Sequence, residues 1–361
     1  MPWRQQLNAN SLPWLLEDES PGVRYLALRD LIPGTTPDEL HRARAAAHKR
    51  GPIAAILDHM DKQGYWVKPG PGYSPKYRST VWSIITLAQL GASVEADPRI
   101  ATACNYILEQ MAEGGQFSTL SSGAPSGTVD CLQGNLCWSL LELGCTDPRL
   151  DIALDWLARS ITGEGVEPAV AADASWQRGT PLPPSKTFSS SKPDSMHRYY
   201  AYKSGPDFAC GVNGGLPCAW GAAKVMMALA SFPRQRRTPA IKNALRRGVE
   251  SFRGVDPVTA LYPHAYGDRP NPNWWKFGFP VFYVTDLLQW IEAAGRYGYG
   301  RHPSLKPTLD FIRGKQNAQG RWSMEYDYLR GKLWVDFGPY KSPNKWVTLR
   351  AIRVLKMASG A

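Results

Sequence analysis

The sequence contains no long hydrophobic run. None of its 361 residues lies in a stretch that approaches the roughly 18 apolar residues needed by a membrane-spanning helix. Residues 1–22 carry acids and prolines and lack the uninterrupted apolar segment of a secretory signal peptide. We therefore expect a cytoplasmic protein without a membrane-spanning helix.

Patterns of several common activities are also missing. The sequence has no Gly-rich phosphate-binding loop, no HExxH motif and no GxSxG motif. Its net charge is +11, yet it has no run dense in Lys and Arg with interleaved aromatic residues. We therefore predict no nucleic-acid partner. For the basic segment 234–248, peripheral contact with an anionic membrane is an alternative to an ordinary solvated helix face.

Cysteine is scarce, with six in the chain. In a chain without an export signal, cysteines among apolar helical neighbours favour thiols over a disulfide framework. Four of the six lie in two similar stretches, CLQGNLCWSLLELG (131–144) and CGVNGGLPCAWGAAKVMMALA (210–230). Aromatic residues are plentiful, with 14 Trp and 16 Tyr, which suggests aromatic seams or a lined cavity.

An internal repeat organises the chain. Residues 86–107 and 140–157 both contain an apolar helical run, Leu-Gly, a turn with Asp-Pro-Arg, and a second amphipathic run. Gly ends the first helix and Pro begins the second. The same plan recurs at 222–252 and 283–316, with a divergent first pair at 23–47 and a final helix at 342–358. Stacked pairs of this kind predict an all-α fold of inner and outer helices, with a long loop around 163–206.

Three turns between the pairs share a pattern of Gln, Gly and an aromatic residue. They are HMDKQGYW (59–66), EQMAEGGQF (109–117) and QNAQGRW (316–322). Gln316, Gly320 and Trp322 match the QW motif of squalene cyclases. The chain thus resembles the terpenoid cyclase/protein prenyltransferase superfamily, and most closely an uncharacterised group of bacterial squalene-cyclase-like proteins.

The resemblance spans most of residues 50–358. It implies an α/α toroid of about five to six helical hairpins. Residues 1–50 are then an N-terminal extension or divergent first pair, and residues 51–361 are the toroid domain. We expect the QW-like turns to build the fold and to do no chemistry.

Aligned on their downstream features, the two cysteine-rich stretches superpose Cys131 on Cys218 and Gly134 on Gly221. In a toroid the N-termini of the inner helices meet on one rim, about 8–10 Å apart. We therefore predict that Cys131 and Cys218 lie within reach of each other. Cys210 can fold back to the same place through its Gly-rich segment, and helix N-termini favour the thiolate.

Three thiolates and a further ligand are a common zinc set. Asp130 and His264 are the candidates for the further ligand. Protein prenyltransferases bind zinc through Asp, Cys and His in a comparable order, with one residue between Asp and Cys. Here Asp130 and Cys131 are adjacent, which favours a structural site. The alternative is that the thiols only ease helix approach; we expect the remaining cysteines, Cys104, Cys137 and Cys145, to be inert.

Other residues near the starts of the inner helices suggest further roles. An anion-attracting mouth is one interpretation of the basic and tyrosine residues there, with ordinary solvation of helix ends as the other. These residues are Lys76, Tyr77, Arg78, Lys276 and Lys345. Candidate cavity aromatics are Trp82, Trp138, Trp220 and Tyr283. Asp286, which we expect inside an apolar inner helix at YVTDLLQW, is the candidate general acid, although the DxDD and DDxxD motifs of terpenoid cyclases are absent.

We expect a terpenoid-cyclase-like or prenyltransferase-like protein that binds an isoprenoid or other apolar ligand in a central cavity, with zinc at the rim. Two alternatives stay open. The chain could be a non-catalytic binding or scaffold toroid with structural zinc, or it could transfer a prenyl or alkyl group to a thiol with the help of zinc.

Overall fold

The computed structural model describes residues 2–121, 123, 127–164, 204–213, 216–254, 256–262 and 271–360. Thirteen α-helices lie in this part of the chain: α1 (Leu12–Leu15), α2 (Pro21–Leu31), α3 (Pro37–Lys49), α4 (Pro52–Leu57), α5 (Thr80–Gln89), α6 (Pro98–Glu109), α7 (Asp130–Glu142), α8 (Arg149–Thr162), α9 (Ala219–Ser231), α10 (Pro239–Arg253), α11 (Leu287–Arg296), α12 (Lys306–Gly314) and α13 (Lys345–Ser359). The fold is mainly α-helical, as the sequence predicts. Most of the predicted loop at 163–206 lies outside the described residues.

Three two-residue strands form a small antiparallel sheet ahead of α9. They are β1 (Ser204–Gly205), β2 (Ala209–Cys210) and β3 (Leu216–Pro217), in the order β1-β2-β3. Cys210 on β2 pairs with Leu216 on β3. This hairpin returns the chain to the start of α9, which begins directly after Cys218.

The two Asp-Pro-Arg turns have the same hydrogen-bond geometry. Asp97 accepts a hydrogen bond from the backbone N–H of Arg99, and Asp147 accepts one from Arg149, both at 2.9 Å. Each arginine also turns its guanidinium back onto the same aspartate, at 2.8 and 2.7 Å. Capping aspartates of this kind satisfy N–H groups that the first helical turn leaves unpaired. The predicted starts of α6 and α8 are therefore confirmed.

The three QW-like turns share one set of hydrogen bonds. In each turn, the backbone N–H of the final aromatic residue donates to a side chain in the first turn of the following long helix. The acceptors are Thr80 Oγ1 for Trp66 at 3.1 Å, Gln133 Oε1 for Phe117 at 3.0 Å and Thr348 Oγ1 for Trp322 at 2.9 Å. Both indole N–H groups, of Trp66 and Trp322, also donate to a carbonyl of the preceding helix at 2.8 Å. These hydrogen bonds fix each turn to the helix that follows it and, at Trp66 and Trp322, to the helix that precedes it.

The glycine in each of these turns has a positive φ and lies against another backbone. A Cβ on Gly64 or Gly115 would lie 2.6 Å from a carbonyl oxygen of α6 or α8 respectively. A Cβ on Gly320 would lie 2.3 Å from the carbonyl oxygen of Ala9. The N-terminal segment therefore takes, at the last turn, the place that an outer helix takes at the first two.

The longer helices pack in sequence. α5 packs on α7, α7 on α9, α9 on α11 and α11 on α13, and α13 packs on α2. The outer helices α8 and α10 pack on each other. α7 and α9 approach most closely at Gly134, where a Cβ would lie 2.6 Å from the backbone carbonyl carbon of Lys224. A glycine is needed there because two helix backbones touch.

No helix within the described ranges combines the length and the apolar character needed to cross a membrane. Several arginines of the basic segment 234–248 contact the protein itself. Arg236 pairs with Asp151, and Arg247 lies 3.0 Å from Asp207. Arg237 donates to two backbone carbonyls at the end of α9, which accounts for part of this charge without a membrane.

Candidate functional site

Three of the predicted cysteines meet at the starts of α7 and α9. Cys131 is the second residue of α7, and Cys218 is the residue that precedes the first turn of α9. The β2–β3 hairpin folds Cys210 back against Cys218. The Cys218 sulfur accepts hydrogen bonds from the thiols of both Cys131 and Cys210. We call these three residues the thiol cluster.

The cluster stabilises one thiolate. The hydrogen bonds from Cys131 and Cys210, joined by the backbone N–H groups of Gly221 and Trp220, hold the pKa of Cys218 well below its ordinary value, although burial opposes this. The hydrogen bond to Cys218, followed by burial, raises the pKa of Cys131. The Cys218 sulfur therefore favours the thiolate, and the Cys131 sulfur favours the protonated thiol. This is the expected behaviour of a thiol at a helix N-terminus.

A buried lysine lies near the thiolate. Lys224, on the second turn of α9, is 1% exposed. Its Nζ donates to Thr285 Oγ1 and, at 3.2 Å, to Gln289 Oε1. Burial lowers its pKa to about 8, and the charges of Cys131 and Cys218 oppose that shift. At neutral pH the ammonium form therefore predominates, and it faces the thiol cluster as a counter-charge. The sequence analysis did not single out Lys224.

Aromatic rings gather at the same end of the helices. Trp82, 1% exposed, has ring contacts at 5.0–5.3 Å with four neighbours. These neighbours are Tyr73, Tyr77, Phe282 and Tyr283. Tyr73 and Tyr283 also interact electrostatically with Cys131, so this aromatic cluster adjoins the thiols. Trp220 starts α9 beside Cys218, and its carbonyl accepts a hydrogen bond from Thr285 at 3.4 Å.

Three of the basic residues predicted to form an anion-attracting mouth, Lys76, Arg78 and Lys345, have a protein partner. Lys345 pairs with Glu17 at 2.6 Å. Arg78 donates to the carbonyls of two residues in a distant loop at 3.2 Å and lies over the Trp334 ring at 5.4 Å. Lys76 lies over the Tyr73 ring at 5.9 Å. Their positions are explained by contacts within the protein.

The prediction that Asp286 lies inside a helix was wrong. Asp286 is the N-cap of α11 and accepts a hydrogen bond from the backbone N–H of Gln289 at 2.9 Å. Both carboxylate oxygens also bind the Arg350 guanidinium at 2.7 Å, and both side chains are buried. A bidentate ion pair of this kind fixes the orientation of the carboxylate. Its partners therefore suit a structural anchor better than a general acid.

A cavity of about 380 Å³ lies further along the same helices. Its lining comes from α2, α5, α7, α9, α11 and α13, together with Phe279 and Val281. Trp138, the predicted cavity aromatic on α7, is part of this lining. Arg350 lines it as well, so the ion pair with Asp286 forms part of the wall.

A second pair of thiols also escaped the sequence analysis, which expected both to be inert. Cys104 on α6 hydrogen-bonds to Cys145, the residue after the Gly that ends α7. The hydrogen bond from Cys104 lowers the pKa of Cys145 to about 7, with help from the backbone N–H of Asp147. Cys137 is fully buried, and burial raises its pKa.

The remaining metal-ligand candidates are only partly defined. Asp130 is 5% exposed, and its Oδ1 lies 3.5 Å from Ser160 Oγ. His264 lies outside the described residues. Within the described part of the chain, no group of three or more His, Cys, Asp or Glu side chains has the geometry to hold a metal ion.

Comparisons with known proteins do not identify a family. No family model matches the chain, and no curated protein matches it. Among solved structures, one described as a crystal structure of a protein from Actinoplanes is similar, with 15% identity over 88% of this chain and 99% of that one. Its TM-score of 0.30 is too low to support an argument about fold or function.

Proposed function

We propose that the chain is an α/α toroid that binds an isoprenoid or other apolar molecule in a central cavity. The sequential packing from α5 to α13 and the contact of α13 with α2 support a closed arrangement. The equivalent bonding of the three QW-like turns supports a repeated helix-pair plan.

The observation that carries the proposal is the cavity of about 380 Å³ lined by six different helices. Ligand sites in proteins are typically concave, largely apolar and about 300–1,000 Å³ in volume. Leu26, Trp138, Met227, Phe279 and Val281 supply apolar and aromatic surface to this wall. Because Asp286 is committed to Arg350, we propose binding in preference to a cyclisation that begins with protonation.

Filling the cavity tests this proposal. Ala88 on α5 lines the cavity, whereas Ala101 on α6 is exposed. We expect the wild-type protein to bind farnesol by titration calorimetry, Ala88→Trp to weaken binding at least tenfold, and Ala101→Trp to leave it unchanged. Circular dichroism verifies that both variants fold. Absence of farnesol and squalene binding, or equal affinity in both variants, contradicts the proposal.

Zinc at the thiol cluster is the second candidate, and the observation that favours it is the thiolate at Cys218 between two further thiols. Thiolates are preferred zinc ligands. The described residues supply donors but not a complete site, since no group among them has metal-holding geometry. We therefore derive no chemical step through zinc. The cytoplasm, which keeps thiols reduced, is the setting we propose for this cluster.

Metal analysis tests the zinc proposal. We expect about one zinc per chain in protein purified without chelator, and its loss in Cys218→Ser. Cys145→Ser is the matched control, because Cys145 is also an acidic thiol outside the cluster. A wild-type protein that retains no zinc, or a control variant that loses as much as Cys218→Ser, contradicts this candidate.

A further inference from the structure

One wall of the cavity carries more positive than negative charge. Arg29 on α2 and Arg353 and Lys356 on α13 all line the cavity there. The acid that lines this wall is Asp30. Arg29 binds Asp30 through Nε at 2.6 Å, Arg353 pairs with the same carboxylate, and Lys356 donates to the Asp30 carbonyl at 2.6 Å. Two arginines thus share the Asp30 carboxylate, and Lys356 is held by the backbone carbonyl of the same residue.

Elsewhere in the lining, α7 and α11 supply two further acids. Arg296 at the end of α11 pairs with Glu142 at 2.6 Å and with Glu292 at 3.3 Å. Arg350 is matched by Asp286. The lining therefore holds five cations and three carboxylates, and the three cations around Asp30 supply the excess of positive charge.

The positive wall also has a donor without an acceptor. Arg353 Nε is buried, and among the described residues no acceptor lies within hydrogen-bond distance. A buried guanidinium N–H that lacks a partner is unfavourable, so an acceptor supplied by a ligand would be stabilising. The lining also includes apolar groups, such as Val354 and Met357 on α13, and aromatic groups such as Phe279 and Trp138.

We infer that the cavity binds an amphipathic anion: an apolar chain that ends in a carboxylate or phosphate group, with the anionic end between Arg29, Arg353 and Lys356. This inference rests on the proposed function and specifies the chemistry of its ligand. Arginine suits this role because its planar fork binds two oxygens of a carboxylate or phosphate at once. The apolar chain would extend along the α7, α9 and α11 walls.

The inference predicts different affinities for ligands that share one apolar chain and differ only in their head group. We would measure binding of dodecanoate, dodecyl phosphate, dodecanol and dodecyltrimethylammonium by titration calorimetry, each below its micelle-forming concentration. We expect at least one of the two anions to bind tenfold or more tighter than dodecanol, and the cation to bind weakest. Comparison of the two anions distinguishes a carboxylate from a phosphate ligand.

Substitutions in the cavity wall test where the anionic head group binds. We expect Arg353→Met to remove the preference for the anion over dodecanol while dodecanol affinity stays the same. Arg246→Met, on the exposed face of α10, is the matched control. If Arg353→Met does not fold, Lys356→Met should reduce the preference at least threefold. Equal binding of anion and alcohol overturns the inference but leaves the proposed cavity function intact; no binding of any chain overturns both. A preference that survives both cavity variants also overturns the inference.

Discussion

The two ends of the long helices carry opposite chemistry. Where α9 and α11 begin, the structure has the Cys218 thiolate and the Asp286 carboxylate. Where α11 and α13 end, it has Arg296 and Lys356 in the last turn. Anions are favoured at helix N-termini and cations at C-termini, each by roughly 0.3–1 kcal/mol at exposed sites. Helices that start at one end therefore sort acidic and basic groups to different parts of one molecule.

The ends also differ in how their charges are held. Backbone N–H groups of α9 and α11 bind Cys218 and Asp286 directly, so these anions are fixed to the helix axis. Around Asp30, the side-chain carboxylate holds Arg29 and Arg353, and the backbone carbonyl holds Lys356. We infer that the thiol end is rigid, whereas the basic wall can adjust to a ligand. Four predictions test this contrast.

The largest effect should come from the buried ion pair of Arg350 and Asp286. Arg350→Met leaves Asp286 buried without its partner, and such losses cost about 3–5 kcal/mol. We expect a loss of that size in the free energy of unfolding, measured with urea. The control is Lys306→Met, which removes an exposed pair with Asp310 and should cost less than about 1 kcal/mol. Equal losses of unfolding free energy in the two variants would contradict a larger contribution from the buried pair.

The second-largest effect should come from the close approach of α7 and α9, the two helices that begin at the thiol cluster. Gly134→Ala places a methyl group against the backbone of Lys224, and overpacking of this kind typically costs about 1–3 kcal/mol. Urea unfolding measures the loss. Gly314→Ala is the control, since no heavy atom lies within 4 Å of its Cβ position, and it should be neutral or up to about 1 kcal/mol more stable. A stable Gly134→Ala protein would contradict the contact between α7 and α9.

Thiol reactivity should follow the positions of the cysteines. At pH 6.5 we expect iodoacetamide to label Cys218 and Cys145 before Cys104 and Cys137, because their pKa values are lowered and the thiolate is the nucleophile. Below pH 8 an ordinary thiol loses about tenfold in rate per pH unit. Cys218 should keep its rate until the pH falls below its own lowered pKa. Mass spectrometry of digested protein gives the order, and Cys137 labelled as fast as Cys218 would be the contrary result.

The smallest effect is the pH dependence that Lys224 imposes. Its pKa of about 8 in the folded chain lies below the ordinary 10.5, so the unfolded chain binds this proton more tightly. The resulting destabilisation is complete below pH 8 and fades as the pH rises toward 10.5. We expect Lys224→Met to gain on the order of 1 kcal/mol over wild type at pH 7 and less at pH 10. A difference in unfolding free energy that is the same at both pH values would contradict the lowered pKa.

Sequence reasoning identified the helix pairs because their signals are local. The Leu-Gly and Asp-Pro-Arg patterns end and begin helices through hydrogen bonds within a few residues. It also placed Cys131 opposite Cys218, because equivalent positions in two repeats follow from aligning them. The position of Asp286 was wrong although a local signal existed. Asp286 and Gln289 have the spacing of a helix N-cap and its partner, and the apolar neighbours hid it.

Other features depend on contacts between distant segments. Lys224 looks like an isolated charge within an apolar helix, and its burial becomes possible only because Thr285 and Gln289 on α11 accept its hydrogen bonds. The basic wall of the cavity combines Arg29 and Asp30 with Arg353 and Lys356, more than 300 residues away. No periodicity within one segment indicates that α2 and α13 are neighbours, so sequence reasoning did not bring these four residues together.

The contact of Ala9 with Gly320 has a consequence for the order of events during synthesis. Asn8 donates to Gln316 across 308 residues of chain, and Arg321 lies 4.1 Å over the Trp14 ring. The segment around Asn8 is therefore synthesised 308 residues ahead of its partner at Gln316. We expect residues 2–14 to stay unprotected against proteases in a nascent chain that ends before α12, and to become resistant once the turn at 316–322 has emerged.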